Sequence, residues 1–435
     1  MMDFPKYESY KDSGIAWLGE IPQNWEIIRS KYVFSEIDER SQTGNEELLS
    51  VSHLTGVTPR SEKNVNMFLA EDYTGAKLCQ PNDVVINTMW AWMGALGVSD
   101  HTGLVSPSYG VYRPNEKVYP RFLDSLLRTP QYIAEYIRRS TGIQSSRLRL
   151  YSNQFLDIPL VMPPIEEQRR IVEFLDRKTA EIDQSIAQKQ SLIELLKEQK
   201  AILLDRAVTK GLNLDVPMHN SGIEWLEQSP KNWTKVKLKH CIDLLSGFAF
   251  KSNFYSNNEE DIPLLRGVNI NPGIIRWEDT TYWSKDKTNE LTGYLLQEGD
   301  IVLGMDRPWI SSGIRVARVK FQDLPCLLLQ RVARIRAIAP LTQKYLELIL
   351  TSEGFHAYFE PMLTGISVPH ISPEQIKNFE FFVPPEIEQK SICDFVDHIS
   401  QDFTKAKMYE SKAIDALEEF KITLIAEAIT GKIKV

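Results

Sequence analysis

The sequence predicts an α+β protein with two globular mixed α/β domains, separated by two long antiparallel α-helices and related by an internal pseudo-twofold repeat. Its 435 residues exceed what one hydrophobic core accommodates, so at least two domains are expected. The phrase SGIAWLGEIPQNW (13–25) returns as SGIEWLEQSPKNW (221–233), and PPIEEQRRIVEFLDRK (from 163) is matched by PPEIEQKSICDFVDHI (from 384). Two repeated phrases in the same order indicate one architecture written twice.

A long helix is predicted to begin after each Pro-Pro pair. Proline cannot continue a preceding helix, but it fits the first turn of a new one. Acidic side chains follow both pairs, where the helix dipole favours negative charge: Glu166, Glu167, Glu386 and Glu388. Gly211 and Gly431 follow the last apolar turns and are predicted to end the helices.

Apolar residues recur at alternating steps of three and four in both segments, which predicts long amphipathic helices at 163–211 and 384–435. The second seam, which only Glu410 interrupts, consists of Ile392, Val396, Ile399, Phe403, Ala406, Ala413, Leu417, Phe420 and Leu424. The first seam is looser and consists of Ile171, Leu175, Ile182, Leu192, Leu196 and Leu203, with Ile186 and Ile193 alongside. At roughly 40 to 45 residues, each helix would be about 60 to 65 Å long. The simplest expectation is that the two helices pair with each other as a coiled-coil spacer; the alternative pairs each with a helix of another protein.

The rest of the chain divides into domain 1 (1–162) and domain 2 (212–383). Each contains short β-type runs, such as DVVIN and DIVLG, with a helix near its end, which indicates an α+β unit. QPNDVV (from Gln80) and QEGDIV (from Gln297) echo each other, but most of the remaining text differs between the domains. We therefore expect similar frames that carry different loops.

Composition excludes several classes of protein. No apolar run approaches the roughly 18 to 20 residues of a membrane helix, and the first residues lack the pattern of a secretory signal. The four cysteines lack CxxC spacing and the seven histidines lack HExxH spacing, which predicts buried, reduced thiols and no metal site. The net charge of −8 argues against a generally basic coat that binds nucleic acid without selectivity.

These residues together resemble the specificity (S) subunits of type I restriction–modification systems, over nearly the whole chain. The resemblance rests on the WLGEIPQNW and WLEQSPKNW phrases, the TGI segments at Thr141 and Thr364, and the two Pro-Pro helix entries. A single Pro-Pro motif would be weak support. The same set in the same order, twice, is specific.

The resemblance implies a non-catalytic cytoplasmic subunit that binds double-stranded DNA, with target-recognition domains at 1–162 and 212–383. Each domain would read one half of an asymmetric bipartite site, and the helix pair would set the gap between the halves. Two adenine-N6 methyltransferase (M) subunits would dock on the chain and bring S-adenosylmethionine, so no cofactor is expected in this chain. Restriction (R) subunits would join through the M subunits.

In domain 1 the predicted DNA contacts lie in RRSTGIQSSRLRLYSNQ (138–154), which has four arginines and no acid. Arginine suits phosphate and guanine, glutamine suits adenine, and small hydroxyls suit either base. The predicted contacts are Gln144, Ser145, Ser146, Arg147 and Arg149. The alternatives are a solvated basic loop or a contact with an M subunit.

In domain 2 the corresponding segment, TGISVPHISPEQ, offers Ser367 and His370 but no arginine. The basic residues of this domain lie earlier, and Arg307 and Arg315 of MDRPWISSGIRVARVK (305–320) are the predicted DNA contacts. Further candidates are Arg331, Arg334 and Arg336.

The tryptophans are predicted to be structural. Core packing is expected for the four in the repeated phrases, which are Trp17, Trp25, Trp225 and Trp233. Trp90 and Trp92 lie two residues apart in INTMWAWMGALG, the domain 1 counterpart of the basic text around Arg307. For this pair, too, core packing is favoured over stacking on bases.

Parts of the sequence are open to two other functions. A self-sufficient methyltransferase is disfavoured, because neither Pro-Pro pair has the flanks of an Asn/Asp-Pro-Pro-Tyr/Phe box and no Gly-rich cofactor loop follows a strand. A protein-binding scaffold without a DNA role is mildly favoured by the acidic net charge. A salt-dependent, sequence-selective DNA footprint would separate that scaffold from a recognition subunit.

Overall fold

The computed structural model describes residues 4–63, 72–142, 148–213, 215–363 and 369–435, and two helices dominate it. The α-helices are α1 (Pro120–Leu127), α2 (Pro130–Arg139), α3 (Ser152–Leu156), α4 (Ile165–Lys210), α5 (Gln343–Leu350), α6 (Glu353–Leu363), α7 (Pro373–Asn378) and α8 (Glu386–Ile429). Helices α4 and α8, of 46 and 44 residues, begin directly after the Pro-Pro pairs, as predicted. Gly211 and Gly431 follow them at φ +75°, a left-handed conformation that glycine adopts without a steric cost.

The chain forms two compact units. Unit 1 comprises Met1–Gln190 and Glu410–Val435, and unit 2 comprises Ser191–Tyr409. Each unit therefore contains a segment of both long helices. The recognition-domain limits at 162 and 212–383 remain a prediction.

Unit 1 is built on an antiparallel four-stranded sheet in the order β4-β11-β8-β9. Its strands are β1 (Tyr10–Asp12), β2 (Glu20–Pro22), β3 (Glu26–Arg29), β4 (Phe34–Glu36), β5 (Leu49–Ser52), β6 (Gly56–Pro59), β7 (Lys77–Cys79), β8 (Val84–Asn87), β9 (Leu96–Val98), β10 (Gly103–Val105), β11 (Tyr109–Pro114) and β12 (Pro159–Met162). Strand β3, which follows the first repeated phrase, pairs with β12, which leads into Pro163.

Unit 2 repeats this frame with the order β16-β27-β22-β25, again antiparallel. Its strands are β13 (Met218–Ile223), β14 (Leu226–Pro230), β15 (Thr234–Lys237), β16 (Ile242–Ser246), β17 (Tyr255–Ser256), β18 (Ile262–Leu265), β19 (Ile270–Asn271), β20 (Ile274–Ile275), β21 (Tyr282–Trp283), β22 (Ile301–Gly304), β23 (Trp309–Ile310), β24 (Gly313–Ile314), β25 (Val316–Arg318), β26 (Leu327–Leu328), β27 (Val332–Ala337) and β28 (Glu380–Val383). Strand β15 pairs with β28 as β3 pairs with β12. The internal repeat is therefore a repeat of topology.

The long helices pack against each other within unit 1. Lys421 Nζ lies 2.7 Å from Asp183 Oδ2, and Lys189 Nζ lies 2.8 Å from Glu410 Oε2. The later residue on α4, Lys189, pairs with the earlier residue on α8, Glu410, so the two segments run antiparallel. Glu410, the one polar residue of the predicted seam, is thus held by an ion pair. In the looser first seam Leu192 is exposed, contrary to prediction, and Ile193 is the more buried neighbour.

The two repeated phrases contact each other inside unit 1. The Glu167 carboxylate of the Pro-Pro motif accepts hydrogen bonds from Trp25 Nε1 at 3.1 Å and Asn24 Nδ2 at 3.0 Å. In unit 2, Glu388 accepts from Asn232 Nδ2 at 3.3 Å. The phrases recur together because the end of one binds the start of the other.

The glutamine of each Pro-Pro motif has the same buried role in both units. Gln168 Nε2 donates to the Pro163 carbonyl at 2.9 Å and Gln168 Oε1 accepts from Tyr119 N at 2.7 Å. Gln389 Nε2 donates to the carbonyls of Pro384 and Pro340, at 3.0 and 2.8 Å, and its Oε1 accepts from Thr342 N at 2.9 Å. Each glutamine therefore ties the start of a long helix to the segment before α1 or α5.

The predicted packing of the four tryptophans in the repeated phrases is confirmed. Trp25 is fully buried and Trp233 nearly so. Trp17 meets Tyr132 edge to face, with ring centroids 5.1 Å apart, and Trp225 stacks on Phe379 at 5.4 Å. Their contribution is to the two cores.

A second repeated device fixes the central strand of each sheet. Asp83 and Asp300 begin the QPNDVV and QEGDIV strands, are buried, and accept hydrogen bonds from Gln80 N and Gln297 N at 2.9 and 2.8 Å. Arg113 on β11 and Arg336 on β27 pair with these carboxylates. Arg336, a candidate for DNA contact, thus lies in an internal ion pair of the sheet.

Candidate nucleic-acid interface

Two chain segments meet at the carboxyl end of β22 in unit 2. Arg307 N donates to the Pro369 carbonyl at 2.7 Å, and Ile371 N donates to the Met305 carbonyl at 3.0 Å. In unit 1, Leu150 N donates to the Thr88 carbonyl at 2.9 Å, just past the end of β8. In unit 2 the two regions from which DNA contacts were predicted are therefore neighbours, and in unit 1 the predicted segment lies beside the loop that follows β8.

In unit 2 the predicted residues Arg307 and His370 lie around Asp306, which follows β22. The Asp306 carboxylate lies 2.6 Å from His370 Nδ1 and accepts a hydrogen bond from Arg331 Nη1 at 3.0 Å. Arg307, on the other side of Asp306, is exposed. The loop thus carries Arg307 at the surface beside an Asp306–Arg331 ion pair.

The backbone at this loop is strained. Arg307 has φ +45° and Arg331 has φ +66°, in the left-handed region that non-glycine residues rarely occupy. Such conformations cost on the order of 1–3 kcal/mol and occur mostly at functional sites. The two strained arginines lie close to each other, because Arg331 bonds to Asp306 beside Arg307, and this concentration of strain favours a binding role for the region.

Arg315 supports this loop from behind. Its Nη1 donates to the carbonyls of Gly267 at 2.7 Å and Ile270 at 3.2 Å, and its Nε donates to the Arg307 carbonyl at 3.2 Å. Three of its five donor hydrogens are therefore used on backbone. This geometry makes Arg315 a residue that positions Arg307; its predicted contact with DNA stays a prediction.

In unit 1, Arg149 lies at the edge of the predicted reading segment. It exchanges two backbone hydrogen bonds with Thr141, both 3.0 Å, and its guanidinium carbon lies 5.9 Å from the centre of the Tyr151 ring. The other predicted contacts fall outside the described residues: Gln144, Ser145, Ser146 and Arg147 here, and Ser367 in unit 2.

Not every arginine of these segments is free to contact DNA. Arg138 donates two hydrogen bonds of 2.7 Å to buried Glu135, and Arg139 pairs with both Glu135 and Asp157. In unit 2, Arg334 pairs with Asp243 and is itself buried. The quoted segments therefore overstate the free positive charge, because the acids that neutralise these arginines lie outside those segments: Glu135 three residues before Arg138 on the same helix, Asp157 after α3, and Asp243 on β16.

The Glu135 cluster should make unit 1 sensitive to acid. The hydrogen bonds from Arg138, aided by Arg139, hold the pKa of Glu135 below its usual range, so the stabilisation exists above the unfolded pKa and is lost as pH falls through the folded one. Glu135→Gln is expected to lower the free energy of unfolding at pH 7 by about 1–2 kcal/mol. The difference from the parent chain should begin to narrow as pH falls below the unfolded pKa of about 4.3, and it should vanish below the lowered folded pKa, where the parent also loses the charge.

Chemical denaturation of both chains between pH 3 and pH 8 measures this effect. A difference that stays constant across that range would contradict the assigned role of the ionised carboxylate.

The prediction that Trp90 packs in the core is wrong. Trp90 is 49 % exposed and stacks on half-buried Trp92, with ring centroids 6.2 Å apart and planes at 16°. The pair lies in the loop between β8 and β9, which is the topological counterpart of the Arg307 loop between β22 and β25. Residues two apart share a buried face only within a strand, and this pair lies beyond Asn87, where β8 ends.

Asp306 is the main site residue that sequence reasoning missed. Its only signal was its position directly after a buried strand and beside two candidate arginines in the text MDR. Among the described residues there is no cluster of His, Cys, Asp or Glu side chains able to hold a metal ion, and the four cysteines are buried and unpaired. None of the described helices combines the length and the apolar character that a membrane span requires.

Comparison with known proteins gives consistent matches. Residues 230–411 match the family described as "Type I restriction modification DNA specificity domain". The chain is 26 % identical to the type I restriction enzyme MjaVIII specificity subunit of Methanocaldococcus jannaschii, covering 100 % of this chain and 98 % of that one. It is 35 % identical to the EcoAI specificity subunit of Escherichia coli, over 41 % of this chain and 30 % of that one.

Two solved structures share the fold. The crystal structure of the HsdS subunit from Thermoanaerobacter tengcongensis matches with a TM-score of 0.58 at 18 % identity, covering 95 % of this chain and 98 % of that one. A chain from a structural study of complex assembly and conformational transition in a type I R-M system matches with a TM-score of 0.65 at 17 % identity, covering 94 % and 98 %. At identities of 17 % and 18 %, these matches show a shared fold and nothing further.

Proposed function

The chain belongs to the type I restriction–modification specificity subunits, a non-catalytic family that recognises DNA sequence, and from this membership we propose how it divides that task. Each unit reads one half of an asymmetric bipartite site in double-stranded DNA. In unit 2 the reading surface is formed by Arg307 and His370, held by Arg315, and in unit 1 by Arg149 with Gln144, Ser145, Ser146 and Arg147. Ser367 completes the unit 2 surface.

One observation carries this proposal: the same sheet order in both units ends in loops of different chemistry. The loop after β8 begins Thr88-Met89-Trp90, whereas the loop after β22 begins Met305-Asp306-Arg307. Side chains at base edges determine specificity, so equal frames with unequal loops read two different half-sites. A symmetric site would require the same residues in both loops.

The partners of the proposed assembly follow from the family. Two adenine-N6 methyltransferase subunits dock on the chain and bring S-adenosylmethionine, and restriction subunits join through them, in the cytoplasm. A net charge of −8 makes weak DNA binding by the isolated chain understandable. In the proposed complex the methyltransferases supply much of the positive surface.

The long helices are proposed to set the unread gap between the half-sites. Inserting four residues, about one turn, into both α4 and α8 lengthens each by about 6 Å. Because base pairs are about 3.4 Å apart, the gap is expected to grow by about two base pairs with both half-sites unchanged. Methylation mapping of the variant measures this. Altered half-site bases would contradict the spacer role.

The function is tested by co-expressing the chain with a methyltransferase subunit encoded beside it and mapping N6-methyladenine in the host DNA by single-molecule sequencing. The expected result is one bipartite motif with a fixed gap. A stable complex that leaves the DNA unmethylated and shows no sequence-selective footprint would instead support the protein-binding scaffold, which the acidic net charge mildly favours.

A further inference from the structure

Unit 1 exposes apolar side chains at the place where unit 2 exposes an arginine. Met89, Trp90 and Tyr151 are 43 %, 49 % and 50 % exposed, although side chains of this kind are usually more buried. Tyr151 follows Arg149, the predicted DNA contact, and lies under its guanidinium. An exposed cluster of large apolar groups is typical of a binding surface.

The repeat fixes the correspondence between the two loops. Asn87 and Gly304 end the equivalent strands β8 and β22, so Trp90 and Arg307 are each the third residue after the strand. The bonds from Leu150 N to Thr88 O and from Ile371 N to Met305 O confirm this register, because each joins the first loop residue to the same partner segment. Trp90 therefore occupies the Arg307 position.

The Trp90 loop is held in shape before any ligand binds. Trp92, stacked on Trp90, donates its Nε1 hydrogen to the Met89 carbonyl at 2.9 Å. The short 3₁₀ helix Ala91–Met93 packs on α2, and Gly94 at φ +85° closes it where a Cβ would meet Ile133 at 2.9 Å. A rigid aromatic group loses little conformational entropy on binding, which suits a recognition role.

Resting on the proposed function, we propose that Trp90 is a specificity-determining residue of unit 1 and reads its half-site through contact with the 5-methyl group of thymine. In the major groove the thymine methyl is the apolar feature of a base pair, and apolar side chains recognise it. Against a G·C pair the apolar part of the ring would cover several polar edge atoms, to which the indole offers only its single N–H donor, and this disfavours the wrong base. Arg307 at the equivalent position suits the acceptors of guanine.

The experiment measures binding of the full chain, in complex with its methyltransferase subunits, to duplexes that carry the mapped site. Arg307→Ala first identifies the unit 2 half-site as the one whose recognition it weakens. Each thymine of the other half is then replaced by deoxyuridine, which removes only the methyl group. Loss of one buried methyl is expected to weaken binding about fourfold.

Protein variants complete the test. Trp90→Ala is expected to weaken binding about tenfold and to bind the thymine and deoxyuridine duplexes equally, whereas Trp90→Phe should retain part of the discrimination. Leu54→Ala is the matched control, because Leu54 is 76 % exposed in the turn between β5 and β6. It should bind as the parent chain does. Deoxyuridine in the unit 2 half-site should respond to none of the Trp90 variants.

Different outcomes would overturn the role of Trp90 and the proposed function. If the complex binds DNA without sequence selectivity, the proposed function is overturned, and the inference with it. If binding is selective but the unit 1 half-site lacks thymine, or deoxyuridine changes nothing there, only the role of Trp90 is overturned. The same holds if Trp90→Ala still distinguishes thymine from deoxyuridine.

Discussion

Replacing Trp25 by alanine is expected to lower the free energy of unfolding of unit 1 by about 4 kcal/mol. The indole is fully buried, packs edge to face on Tyr7 with centroids 5.9 Å apart, and donates a hydrogen bond to Glu167. Alanine would leave both a large cavity and a buried carboxylate that has lost one donor. The change in the free energy of unfolding is measured by chemical denaturation, monitored through the hydrogen exchange of unit 1 amides.

The two halves of the chain provide the matched comparison. Trp25→Phe removes the hydrogen bond to Glu167, whereas Trp233 Nε1 has no partner among the described residues, so Trp233→Phe removes none. The first change should therefore cost about 1–2 kcal/mol more than the second. Equal costs would show that packing alone, and not the bond between the two repeated phrases, explains why tryptophan stands there.

Gln389→Ala is expected to destabilise unit 2 by about 3 kcal/mol. The side chain is fully buried, and its removal leaves two carbonyls, of Pro384 and Pro340, and the Thr342 N–H without partners. A buried polar group left unsatisfied costs about 1–3 kcal/mol, and part of the cost is relieved where water can enter. Gln168→Ala should act similarly on unit 1, where Gln168 holds Pro163, Lys117 and Tyr119.

Urea denaturation of each variant gives the cost, with Gln188→Ala as the control because Gln188 is exposed on α4. A cost for Gln389→Ala no larger than that of the control would contradict the role assigned to the motif. If Gln168→Ala lowers the free energy of unfolding less than Gln389→Ala does, unit 2 depends more on this glutamine than unit 1 does.

The frame of the protein could be predicted from the sequence because its signals are local or repeated. Pro-Pro followed by acids marks the start of the helix in both units. The three-and-four spacing from Ile392 to Leu424 picks out residues that are buried at the two ends of the seam and half-buried between them. The echo of QPNDVV in QEGDIV reflects a real equivalence, since Asp83 and Asp300 cap the same strand and pair with arginines of the same neighbour. Each of these signals is weak by itself, but its recurrence in the second half of the chain makes the prediction specific.

The candidate site was harder to predict because its contacts join distant residues. The acids that neutralise Arg334 and Arg336, Asp243 and Asp300, lie 91 and 36 residues away along the chain, and no periodicity announces them. Asp306 gains its role only when the segment carrying His370 folds beside it, 64 residues on. Trp90 is exposed because a 3₁₀ turn follows the strand, which alternation of apolar residues cannot reveal.

Unit 1 is built from two separate stretches of the chain, and this affects the order in which its parts become available during synthesis. Lys434 N donates to the Pro5 carbonyl at 2.7 Å, and Lys432 Nζ to the Leu18 carbonyl at 3.2 Å, so this unit joins stretches from opposite ends of the chain. Unit 2, by contrast, is the continuous stretch Ser191–Tyr409. On the ribosome, at about 5–20 residues per second, the first 190 residues wait on the order of ten seconds or more for α8 to emerge. All of unit 2 is therefore synthesised while residues 1–190 still expose the apolar face that α8 will cover. Residues 1–190 are the segment for which a chaperone would be needed most.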